Sequence, residues 1–229
     1  MLLVNFAILI VPPALLISAT GSRIGVSFGA RLQAVGLGAL GMGLALLIGF
    51  AVVPVALQLS GLVRLLFSAF VTAALVEEAA KALVLLPVLK NEESFPRTAA
   101  ALKGALAGTG FAVVETLLHI GRTPDIVGIR VLTTWPLHLG AGLLIGYAIA
   151  AEREGDRIPM LMGVLAAIAF HGVYDLLLIL GRETAPWVIP LLLVLAAACT
   201  LLWVIALRRD SASHRPAPRT GRRPHAQPR

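Results

Sequence analysis

The sequence predicts an all-α fold, a polytopic bundle of about seven transmembrane helices. Three observations predict it. Of 229 residues, 58% are hydrophobic and 14% charged, with a mean hydropathy of +0.90, a balance outside that of soluble domains. The apolar residues gather into stretches of about 20 or more, the length that crosses a bilayer. The connections between stretches are too short to hold a soluble domain.

In order, the stretches cover 1–19, 34–60, 62–88, 99–121, 126–150, 158–180 and 186–207. The first lacks a basic start and is interrupted by Pro12-Pro13, so it reads as a span and not as a cleaved signal peptide. The second is rich in glycine (Gly36, Gly38, Gly41, Gly43, Gly49) with Pro54 near its end, a composition that suits close helix packing. The third contains Glu77, Glu78 and Lys81. The fourth places Gly104 and Gly108 at small-xxx-small spacing, then Gly110, Phe111 and Glu115. The fifth carries Arg130 and then His138, Gly142 and Gly146 on one face at successive i,i+4 steps. The sixth holds His171 and Asp175, again at i,i+4, and the last holds Cys199. A single cysteine excludes an internal disulfide and a thiolate metal cluster. Residues 1–207 thus read as one transmembrane unit with its motif core at 70–180, and 208–229 as a disordered basic tail in which His214 and His225 are solvated.

Positive charge orients the bundle. Fourteen lysines and arginines fall on the side holding Arg23, Lys90, Arg153 and the tail, against four (Arg64, Arg122, Arg130, Arg182) on the other. The positive-inside rule then puts the N-terminus outside and the C-terminus in the cytoplasm. With the +7 net charge concentrated in the tail, the expected partner there is anionic lipid and not nucleic acid.

Function concentrates in the ionisable residues within the spans. A charged side chain at the centre of a membrane helix costs about 2.5–3.5 kcal/mol on insertion scales. Lys81 can neutralise Glu77 at i,i+4 or Glu78 at i,i+3, and that pair alone would serve as a structural lock. Likewise, His138 alone would serve as an interhelical hydrogen bonder, His171 with Asp175 as a local pair, and Glu115 as a partner for Lys81. His119, near the interface, reads as a surface residue. Measured from the outer helix ends at 1.5 Å per residue, however, Glu77, Glu115, His138, His171 and Asp175 all lie roughly 9–20 Å deep. Four helices therefore project acids and imidazoles into one layer, more costly groups than packing requires.

Adjacent carboxylates in different surroundings can divide the work of base and proton holder. A carboxylate beside imidazoles can activate water, and an imidazole or a metal ion can stabilise the resulting oxyanion. His138 and His171 with a carboxylate from Glu115 or Asp175 would make a three-ligand zinc site with an open position. Peptide hydrolysis within the membrane fits these parts best, although HExxH and a GxGD-like aspartate pair are both absent. Two other classes use the same parts: a proton-coupled transporter or channel, and a non-catalytic membrane scaffold. No inverted repeat of broken helices supports the transporter.

The succession EExxK (Glu77, Glu78, Lys81), GFxxxE (Gly110, Phe111, Glu115), RxxxxxxxHxxxG (Arg130, His138, Gly142) and HGxYD (His171, Gly172, Tyr174, Asp175) resembles the PrsW family of intramembrane proteases. That family looks related to the CAAX prenyl protease and bacteriocin-processing superfamily. The resemblance implies a bacterial cytoplasmic-membrane protease acting on membrane proteins, with a single-span anti-sigma factor cut on its outer side as the family's named role. It also implies Glu77 as the water-activating base, Glu78 as its electrostatic partner held by Lys81, and His171 with Asp175 as oxyanion stabilisers or metal ligands. Phe111, Arg130 and Gly142 take supporting positions around Glu115, His138 and His171, the candidate ligands for zinc; a metal-independent glutamate mechanism is the other form. Glu115 stands where the related prenyl proteases carry histidine, and Thr116 where many members carry asparagine.

Overall fold

The computed structural model of the chain describes residues 24–91, 96–120, 127–156 and 160–213. The span expected at 1–19, His214, His225 and the tail beyond 213 lie outside the described residues. Among the described residues all regular structure is helical: α1 (Phe28–Gln58), α2 (Gly61–Phe67), a π-helix (Ser68–Leu75), α3 (Val76–Lys90), α4 (Arg97–Ile120), α5 (Val127–Arg153), α6 (Met160–Leu180), a 3-10 turn (Ala185–Trp187) and α7 (Val188–Ser213). Five of these helical segments, built on α1, α4, α5, α6 and α7, are long and apolar enough to cross a membrane.

Helix α1 starts earlier than hydropathy predicts because Ser27 caps it, its hydroxyl accepting from the amide of Ala30 at 3.2 Å. Helices α2 and α3 and the π-helix between them run on as one rod, with right-handed helical backbone at Ser68 and Val76. At 1.5 Å per residue the rod would reach about 45 Å if it were α throughout, long enough to cross a bilayer. Gly181, with φ of 102°, ends α6 in a conformation that favours glycine.

Burial and hydropathy run in opposite directions. Helices α4 and α5 have the lowest span hydropathies, 1.3 and 1.2, and the most buried spans, 72% and 89%; α1, α6 and the α7 segment reach 2.4, 2.0 and 2.7 with 22% buried. Helices facing lipid must be apolar, whereas inner helices can carry small and polar residues that meet protein. Helices α4 and α5 therefore form the centre. They touch glycine to glycine: a Cβ at Gly104 would strike the carbonyl of Gly142, and one at Gly142 the carbonyl of Gly104.

One end of the bundle is closed by an ionic clasp. The Arg97 guanidinium donates to Glu154 and Asp156, at 2.6 Å each, and to the Tyr147 hydroxyl at 3.3 Å. Asp210, on α7, accepts from the Arg97 and Thr98 amides, both at 3.1 Å, and so caps α4 from another helix. This contact corrects the expected end of the last helix at 207 and start of the tail at 208, since α7 stays helical through Ser213. Cys199 is buried and its thiol approaches the Gly140 carbonyl at 3.6 Å, a packing role.

Candidate active site

The site lies where α3, α4, α5 and α6 meet. The close approach of α4 and α5 at their glycines places His138 opposite Phe111 and Glu115. Gly172, on α6, performs the corresponding task on the other side. A Cβ there would collide with the ring of Phe70 on the π-helix. Its absence lets the rod lie close against α6, bringing Glu77 and Glu78 to His171.

Lys81 and Glu78 are both fully buried and pair at 2.6 Å. Of the two carboxylates within helical reach, the ammonium takes the i,i+3 partner. It also lies 2.7 Å from His138 Nδ1 and 4.3 Å from the centre of the Phe111 ring. An ammonium has donors only, so His138 Nδ1 accepts and Nε2 carries the ring proton. That Nε2 donates to Glu115 Oε2 at 2.9 Å, while Glu115 Oε1 is ion-paired with Arg130. Glu115 is thus held by Arg130 and His138, not by Lys81.

His171 is the second hub. Its Nδ1 lies 2.6 Å from Glu78 Oε1. Its Nε2 faces Asp175 Oδ2 at 3.3 Å and Glu77 Oε2 at 3.8 Å. The two imidazole rings meet edge to face with centres 5.0 Å apart. Glu77 Oε2 has no hydrogen-bond partner although it is buried. His119 does not join; its Nδ1 meets the Glu115 carbonyl of its own helix at 2.9 Å.

The residues singled out by the sequence therefore come together, and comparison with known proteins gives their assembly a family. The description "PrsW family intramembrane metalloprotease" matches residues 27–205. The chain belongs to the PrsW family. It is 34% identical over 158 residues to Protease PrsW of Clostridioides difficile (strain 630), a match covering 64% of this chain and 64% of that relative. The chain is thus matched to less than two thirds of the relative's length. No solved structure matches. Family and helices together make this an integral membrane protein.

A metalloprotease family raises the question of ligands. Among the described residues, the group able to hold a metal is Glu77, His138 and His171, whose ligand atoms lie within 4.8 Å of one another. The expected set had Glu115 in place of Glu77; both Glu115 oxygens are instead engaged by Arg130 and His138. Donor chemistry fits a metal. Metal-bound histidines donate their other ring N–H to a carboxylate, as His171 Nδ1 can to Glu78, leaving Nε2 between two carboxylates where a cation is favoured. His138 has both nitrogens engaged, so it could ligate through Nδ1 only if Lys81 turned wholly onto Glu78.

Several supporting contacts escape the sequence. Trp135 Nε1 donates to Thr116 Oγ1 at 3.1 Å, so the threonine at the family's asparagine position still accepts a hydrogen bond. The Tyr174 hydroxyl bonds Thr133 at 2.9 Å and Thr134 at 2.8 Å, joining α6 to α5. Thr72, on the π-helix, has a buried hydroxyl without a partner. Threonines are too common in membrane helices for any of these to stand out.

Proposed function

We propose that the protein is an intramembrane endopeptidase that hydrolyses a peptide bond of a membrane-protein substrate, with Glu77 as the water-activating base. The observation that carries this reading is the inequality of the neighbouring carboxylates. Glu78 is held through Oε1 by Lys81 and His171, its Oε2 being buried without a partner, whereas Glu77 is not held by Lys81 and its unpartnered Oε2 faces His171 Nε2 at 3.8 Å. A committed carboxylate and a free one beside an imidazole suit water activation.

Glu77 takes the water proton at the oxygen left without a partner. His171 donates from Nδ1 to Glu78, and in its doubly protonated form its Nε2–H, which faces Asp175 and Glu77, donates to the oxyanion that develops on the scissile carbonyl. Lys81 compensates Glu78, and Arg130 compensates Glu115, so buried charge stays paired while Glu77 changes protonation. Zinc, when bound, would be held by Glu77, His138 and His171, which would then serve as ligands in place of base and proton donor, and it would supply Lewis-acid polarisation of the carbonyl and a more acidic water.

In this reading the substrate is a single-span protein such as an anti-sigma factor, approached within the bilayer of a bacterial cytoplasmic membrane. The bundle has seven spans with its N-terminus outside, as the positive charges argue. Glu77→Gln tests the reading: the purified variant should keep the wild-type thermal unfolding profile in detergent and lose cleavage of membrane-protein substrates in liposomes. Cleavage at the wild-type rate would remove Glu77 as base. Glu77-dependent proton leak without any peptide product would replace the protease by a transporter.

A further inference from the structure

A groove of about 410 Å³ runs between α1 and the rod, with Glu77 among its lining residues. Its walls are apolar, and Leu46, Phe50 and Val53 on α1 are exposed. Polar features line it too. Thr72 Oγ1 and Glu77 Oε2 are two buried side-chain atoms without a hydrogen-bond partner, and both residues line the groove. Pro54 adds a third feature, because a proline has no N–H for the carbonyl four residues earlier, that of Phe50. A lipid chain would satisfy the walls and leave these polar groups orphaned. A peptide backbone, which carries both donors and acceptors, satisfies both.

The π-helix explains how Thr72 is presented. A π stretch inside an α-helix shifts the faces on either side of it, and such insertions occur at functional sites. Here it lies between α2 and α3 and places Thr72 on the groove five residues before Glu77.

We propose that this groove is the substrate's entry face, that it takes an apolar transmembrane segment unwound near its cleavage point, and that Thr72 positions that segment by hydrogen-bonding its backbone. The inference rests on the protease reading and adds the route and a positioning residue to it. Helices α6 and α7 also face outward, but the cavity beside α7, between Trp135 and Cys199, does not include Glu77.

A synthetic single-span Leu/Ala peptide with a photoreactive diazirine at mid-span tests this in liposomes. With the full-length Glu77→Gln protein, crosslinks should concentrate on Leu46, Phe50 and Val53. Crosslinks spread evenly over outward helices, or gathered beside Cys199, would overturn the groove. For peptide cleavage by otherwise wild-type protein, Thr72→Val should lower kcat/KM about ten-fold, the worth of one well-made hydrogen bond, chiefly through KM. Thr72→Ser should restore it. Wild-type kinetics in Thr72→Val would remove the positioning role. Crosslinking needs no catalysis, so a wild-type protein that bound in the groove but never cut would sink the protease reading and not the entry face.

Discussion

Lys81 Nζ on α3 lies 2.7 Å from His138 Nδ1 on α5, a residue 57 positions away in the chain. This contact sets which nitrogen of His138 is protonated, and through it the bond to Glu115. The same ammonium neutralises Glu78, so one cation governs both halves of the site.

Removing that cation should be severe. Lys81→Met leaves Glu78 buried with His171 alone, and breaking a buried pair from one side costs about 3–5 kcal/mol. Thermal unfolding in detergent should show the loss. Adding Glu78→Gln to Lys81→Met should recover part of the stability but no activity, because the geometry around His171 and His138 is gone. Equal unfolding of Lys81→Met and wild type would contradict the pairing.

The ligand set can be read by metal analysis. Purified wild-type protein given zinc should retain about one ion per chain after desalting, in keeping with a three-ligand site. His171→Ala and Glu77→Gln should each lose it, while Glu115→Gln should retain it. Zinc lost with Glu115→Gln and kept with Glu77→Gln would restore the set expected from sequence.

Gly172 and Phe70 should behave as one unit. Gly172→Ala forces a methyl into the Phe70 ring and should destabilise by about 1–3 kcal/mol, the range for overpacking, with loss of activity as Glu77 and Glu78 shift from His171. Phe70→Leu should relieve part of that cost in the double variant. Strictly additive effects in the cycle would show that the two residues do not press on each other.

Acid should loosen the clasp. The hydrogen bond from Arg97 holds the Asp156 carboxyl below its ordinary value of 3.8. A carboxylate depressed in the fold contributes stability that is complete above its unfolded value and lost as pH falls through the folded one. Wild-type unfolding temperature should therefore drop below about pH 4, the carboxylate range, more steeply than that of Asp156→Asn. Parallel curves for the two proteins would refute this.

Much of the site was legible because charge is costly in lipid. Glu77, Glu78, Glu115, His138, His171 and Asp175 stand out wherever they fall, and counting residues from the helix ends put Glu77, Glu115, His138, His171 and Asp175 in one layer. Their pairings were not legible. Helical spacing allowed Lys81 either glutamate, and nothing local told Glu115 to prefer Arg130 and His138. Thr72 was invisible because its importance lies in having no partner, which is a property of the assembled groove. The π-helix was hidden as well, since its residues, SAFVTAAL, read as ordinary membrane helix.

Sequence alone determined that the chain is a helical membrane protein with reactive groups buried at a common depth, because hydropathy and charge act on each segment by itself. Tertiary structure decided which carboxylate Lys81 holds, what each nitrogen of the two imidazoles meets, and which face of the bundle opens onto Glu77. Those outcomes depend on distances between helices far apart in the chain, set by where a missing Cβ lets two backbones close.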